Sequence, residues 1–134
     1  MASLKDIEGI GPVQAEKLAT AGLKTTEALL ETAGHKKGRQ DLASLVGISE
    51  KIILEWVNRA DLFRVPGIGE EISDLLESAG VDSVPELGTR KPENLHAKLL
   101  EINESKKLVR QVPSLNQVEK FVEAAKGMER AVTH

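Results

Sequence analysis

The sequence predicts an all-α protein, and three observations carry that expectation. Apolar residues recur at three- and four-residue spacings, and no stretch sustains the period-two alternation of a half-buried strand. Glycines and hydroxyl residues fall between these runs, where helices stop and start. One such glycine pattern occurs twice: Ile7-Glu8-Gly9-Ile10-Gly11 returns 58 residues later as Val65-Pro66-Gly67-Ile68-Gly69. At the same offset Leu18 matches Leu76, Ala21-Gly22 matches Ala79-Gly80, and Leu29 matches Leu87, with no gap.

Each element follows from local chemistry. Gly9 and Gly11, like Gly67 and Gly69, allow a tight turn, and Pro12 suits a first helical position because its missing N–H costs nothing there. The helix after the first turn is expected to bury Val13, Leu18 and Ala21, and the helix after the second Ile72, Leu75, Leu76 and Ala79. Gly22 and Gly80 end these helices. Thr25 and Ser83 are candidate N-caps of short helices that follow. A weaker echo of the unit is read from Asp41-Leu42 to Ser49-Glu50 and from Asn94-Leu95 to Asn103-Glu104. It predicts a helix over about 39–46, a turn at Gly47-Ile48, and a helix capped by Ser49 running to about Arg59. In the second half it predicts a turn at Glu101-Ile102 and a helix capped by Asn103 that Pro113 stops near Gln111. A last helix is expected over about 114–126, with Leu115, Val118, Phe121, Val122 and Ala125 inward. The chain thus divides into 1–62, 63–126 and a frayed tail, 127–134. A unit near 60 residues buries only about 60% of its unfolded surface, so the two halves are expected to dock.

Composition excludes several functions. With no cysteine, three histidines at no metal-ligand spacing and no serine, histidine and acid arrangement, the chain offers no thiolate metal site, no cofactor site and no nucleophilic catalyst. A non-enzyme is expected, with no small-molecule substrate in evidence. Aromatic residues make up 2% of the chain, too few for a ladder of base-stacking platforms. Lone Trp56 is read as packing rather than as a partner hot spot, and His35 and His96 as exposed. No apolar run approaches the roughly 20 residues of a membrane span, and Met1 to Asp6 lacks a signal-peptide pattern, so a cytoplasmic protein without membrane contact is expected.

The Gly-Ile-Gly segments, each followed four residues on by Ala15 or Ser73 and then by Leu18 or Leu76, resemble the helix-hairpin-helix motif. A strong hairpin followed by a degenerate one, as at Gly47 to Glu50, is similar to the paired-hairpin domain found at recombinase N-termini and in the C-terminal domain of the RNA polymerase alpha subunit. The fuller chain, including Trp56 to Leu62 and Ala79-Gly80-Val81, resembles an uncharacterised bacterial family known only as a domain of unknown function. The resemblance implies two tandem paired helix-hairpin-helix domains, a SAM-like helical bundle, with a C-terminal helix. It further implies contact with the DNA or RNA backbone, without sequence readout, through the amides of Gly9, Gly11 and Val13 around Ile10.

Charge refines this expectation. The net charge is -3, so bulk positive charge does not drive binding. In the second copy Glu70 and Glu71 follow Gly67-Ile68-Gly69, and from Phe63 to Gly88 one Arg64 faces six acids, a balance of -5. That copy is expected to be structural or to bind a protein partner. Basic candidates lie in a flexible loop at His35 to Arg39 (Lys36, Lys37, Arg39) and at Lys106, Lys107 and Arg110, read as one helical face within a stretch of balance +3. The alternative reading is an adaptor for another protein, working through the acidic face of residues 70–77 or Trp56.

Overall fold

The computed structural model describes residues 3–7 and 9–133. Glu8 of the first glycine segment, His134 of the tail, Met1 and Ala2 lie outside the described residues. Among the described residues there are eight α-helices and no strand. They are α1 (Pro12–Thr20), α2 (Thr26–Ala33), α3 (Lys36–Val46), α4 (Glu50–Leu62), α5 (Glu70–Ser78), α6 (Val84–Thr89), α7 (Pro92–Lys106) and α8 (Leu115–Gly127). A short 3-10 turn, Leu4–Asp6, precedes them, and Ser3 pairs with Thr25 in an isolated bridge.

The helix starts follow the side-chain chemistry. Thr25, Ser49, Ser83 and Ser114 each accept a backbone N–H from the first turn that would otherwise lack a partner. Ser114 also forms a reciprocal capping box with Gln117. Gly9 and Gly67 take φ of 94° and 90°, a conformation that strains any residue with a Cβ. The same short bonds surround both: Ile10 N donates to Ile7 O and Ile68 N to Val65 O, each at 3.1 Å. Leu23 N to Leu18 O at 3.0 Å matches Val81 N to Leu76 O at 2.9 Å at the far ends of α1 and α5.

Two hydrophobic centres form. The first gathers Leu4, Ile7, Ile10, Leu18, Leu29, Leu42, Ile53, Trp56 and Val57, and the second Val65, Ile68, Leu75, Leu76, Leu87, Leu95, Leu99, Val118, Phe121 and Val122. α4 runs between them, since Ala60 belongs to the first and Leu62 to the second, and Phe63 packs against both. The Arg59 guanidinium is buried and forms ion pairs with Asp74 and Glu77 of α5, joining the halves.

The structure corrects five expectations. Residues 36–39 are the first turn of α3 rather than a flexible loop, and Arg39 is 4% exposed. Its guanidinium donates to the carbonyls of Ala33 at 3.1 Å, Gly34 at 2.8 Å, and Thr133. No turn forms at Glu101-Ile102: without a glycine there, α7 continues to Lys106 so that Leu95, Leu99 and Ile102 share one packed stripe. Asn103 is no N-cap, and the helix stops well before Pro113. Its side chain instead exchanges two 3.0 Å bonds with the backbone of Val109, and Lys107 turns the chain at φ 50°. Lys106, Lys107 and Arg110 are therefore a helix end, its cap and a loop residue, not one helical face. Val13 is 66% exposed and Leu115 is on the surface, because each sits at a helix start beyond the edge of its core stripe.

The fifth correction concerns the tail. Met128 still packs on the second half, whereas residues 131–133 dock on the first, where Val132 is 4% exposed in the first hydrophobic centre. Thr133 N donates to Gly34 O at 2.8 Å, and Arg64 donates to Glu129 O at 2.9 Å. An apolar plug and paired backbone groups hold this segment where sequence alone suggested fraying.

Candidate nucleic-acid interface

The first turn presents a helix start to solvent. Gly9, Gly11, Pro12 and Val13 are exposed, whereas Ile10 turns inward and anchors the turn in the core. Gly11 is the N-cap of α1 and supplies no side-chain acceptor, and no acid stands in the first helical turn. The α1 N-terminus thus keeps its partial positive charge uncompensated by its own side chains. Trp56 of α4 backs the turn: a Cβ on Gly9 would lie 3.3 Å from the indole Nε1.

The second turn has the same backbone and the opposite charge. Gly67 and Gly69 are exposed and Ile68 is buried, but Glu70 and Glu71 occupy the first turn of α5. Their carboxylates complement the helix dipole and oppose an incoming phosphate. Phe121 of α8 backs this turn, as Trp56 backs the first.

The predicted basic residues are not brought together. Lys36 and Lys37 are exposed at the start of α3, on the side where the tail docks, and Lys37 pairs loosely with Asp41 at 3.7 Å. Arg39 is consumed internally. Lys106, Lys107 and Arg110 are exposed at the far end of α7, about 22 Å along the helix from Lys91, so the basic stretch is split between two ends. Arg90 is occupied by Glu86 at 3.0 Å and by the carbonyl of Gly80.

Other lysines are exposed on the first half. Lys5 and Lys24 line, with Pro12, Ala15 and Glu16, a shallow groove of about 380 Å³ along α1. Lys24 arrives there because Leu4 N donates to its carbonyl at 3.3 Å. Lys51 is exposed in the first turn of α4, after Gly47-Ile48, at the position equivalent to Val13. The alignment of Gly47-Ile48 on Gly9-Ile10 held the signal for Lys51; nothing local pointed to Lys5 or Lys24, because tertiary pairing places them.

A larger groove, about 570 Å³, opens on the other side of the turn, lined by Gly9, Ile52, Glu55, Trp56, Arg59, Glu77 and Asp82 among others. Among the described residues no group of three or more histidines and acids could hold a metal ion, and no helix is long and apolar enough to cross a membrane.

These features define a class: an all-helical protein with two hydrophobic centres, whose exposed glycine turns differ in charge. The chain belongs to the family described as a domain of unknown function, DUF4332, whose model matches residues 8–128. No curated protein and no solved structure matches it.

Proposed function

We propose that this protein is a non-catalytic helix-hairpin-helix module that binds nucleic-acid backbone without reading sequence, through the turn Gly9-Ile10-Gly11. The observation that carries this reading is the α1 N-terminus: exposed, capped by a glycine with no side chain, and free of acids in its first turn. A phosphate there meets backbone N–H groups and the positive end of the helix dipole. Lys5 and Lys24 beside the turn, with Lys51 at the start of α4, add charge without base contact. The second turn, closed to phosphate by Glu70 and Glu71, serves the scaffold. With few lysines engaged, binding is roughly micromolar at low salt and steeply salt-dependent.

Fluorescence anisotropy of a labelled short duplex, a matching single strand and an RNA hairpin tests this. Lys5→Glu with Lys24→Glu, and separately Lys36→Glu with Lys37→Glu, rank the two basic clusters. The first pair is expected to weaken binding more. No binding by the native chain at low salt removes the reading.

A second reading, an adaptor for another protein, draws on the 570 Å³ groove between the halves.

A further inference from the structure

We infer that the groove between the halves is a docking site for a basic, extended peptide segment of a partner protein. The groove adjoins the first glycine turn, since Gly9 lines its edge, but the inference does not depend on phosphate binding at that turn.

The groove is built from both halves. α4 supplies Ile52, Glu55, Trp56, Asn58 and Arg59, and the end of α5 with its following loop supplies Glu77, Gly80 and Asp82. Its floor is fixed: Trp56 is 4% exposed, and Arg59 is held by Asp74, Glu77 and a weak 3.4 Å contact to Ser73 Oγ. A ligand therefore meets a formed site, which limits the ordering cost of binding.

Charge selects the occupant. Asp74 and Glu77 together outnumber the single Arg59 they hold, and Glu55 and Asp82 stand exposed on the walls, neither in an ion pair among the described residues. Of the residues that line the groove, Glu55, Glu77 and Asp82 face the single Arg59, a balance of -2. Phosphate is repelled from such a surface, and a lysine or arginine is attracted. The apolar parts decide that the cation comes on a peptide rather than alone. Ile52, exposed on the lip beside the acids, offers contact to an apolar side chain that neighbours the cation, while buried Trp56 beneath keeps the groove's shape. A bare polyamine uses the carboxylates and leaves that surface wet.

The test uses the full chain and a fluorescein-labelled nine-residue probe peptide of alternating arginine and leucine, with the same peptide carrying glutamate for arginine, and spermine as competitor. The arginine peptide is expected to bind at low salt and the glutamate peptide not. Glu55→Lys with Asp82→Lys alters exposed side chains, so the fold survives, and it is expected to weaken the peptide about tenfold or more by reversing two charges. Ile52→Ser leaves the charge unchanged and removes the apolar lip; it is expected to weaken the peptide several-fold without changing spermine. Circular dichroism on each variant checks folding. Equal affinity of native and Glu55→Lys, Asp82→Lys chains overturns the proposal. So does displacement by spermine together with insensitivity to Ile52→Ser, which reduces the groove to a diffuse polycation surface. A duplex titration of the same variants separates the two readings, since the lysine pair adds positive charge beside the turn and does not weaken duplex binding while it weakens the peptide.

Discussion

At Asp61 burial and ion pairing oppose one another. The residue is 2% exposed, burial pushes its carboxyl above the usual range, and Arg64, whose Nε lies 3.3 Å from Oδ1, pulls it partly back. A carboxyl with a raised folded-state pKa holds its proton more tightly in the folded chain than in the unfolded one. Its ionised form therefore opposes folding at neutral pH, and that cost disappears as pH falls through the raised value. Asp61→Asn is expected to raise the urea midpoint at pH 7, with the gain shrinking on acidification; a loss of stability that grows on acidification contradicts this assignment. Arg39 works the other way, as a cation fully used. It holds the end of α2 and the tail through three carbonyls, so Arg39→Met is expected to cost about 2–4 kcal/mol and to speed exchange of the Thr133 amide. Denaturant unfolding and hydrogen exchange measure both effects.

Among the helices, close approach and capping decide what a substitution does. At Gly38 in α3 an added Cβ would overlap the backbone carbonyl of Thr32, so Gly38→Ala is expected to destabilise by about 2 kcal/mol or more despite alanine's better helix propensity. Gly11 is the opposite case: nothing lies within 4 Å of its Cβ position and its φ is ordinary, so Gly11→Asp is expected to stabilise α1 by a few tenths of a kcal/mol. The same aspartate would occupy the proposed phosphate position, so under that proposal stability and binding move in opposite directions. Helix starts were legible in the sequence because a hydroxyl at Thr25, Ser49, Ser83 or Ser114 is a local signal. The continuation of α7 was not, because the match of Asn94 to Glu104 on Asp41 to Glu50 placed a turn where no glycine permits one. The tail and Arg39 were not legible either. Their contacts join positions 39 and 133, and no local pattern encodes a pairing across 94 residues.

The whole molecule is two hydrophobic centres coupled by α4, the Arg59 cluster and the returning tail. Removing the cation leaves Asp74 and Glu77 facing each other at the seam, so Arg59→Leu is expected to cost about 2 kcal/mol, below the loss for a fully buried pair because both carboxylates reach solvent. Amide protection on both sides of the seam falls together if the halves are coupled through Arg59. The glycine repeat made the two-part plan visible in the sequence, and the acids after Gly69 made the inequality of the two turns visible. The lysines beside the first turn and the acidic groove behind it were hidden, since each is assembled from residues far apart in the chain. The most direct test of phosphate binding at the first turn is duplex anisotropy with the native chain and Gly11→Asp across a salt series. The native chain is expected to bind with a log–log salt slope of about -2 to -4, the mark of two to four phosphates, and Gly11→Asp to lose that binding while melting no lower. Native-like affinity in a folded Gly11→Asp chain would contradict the account.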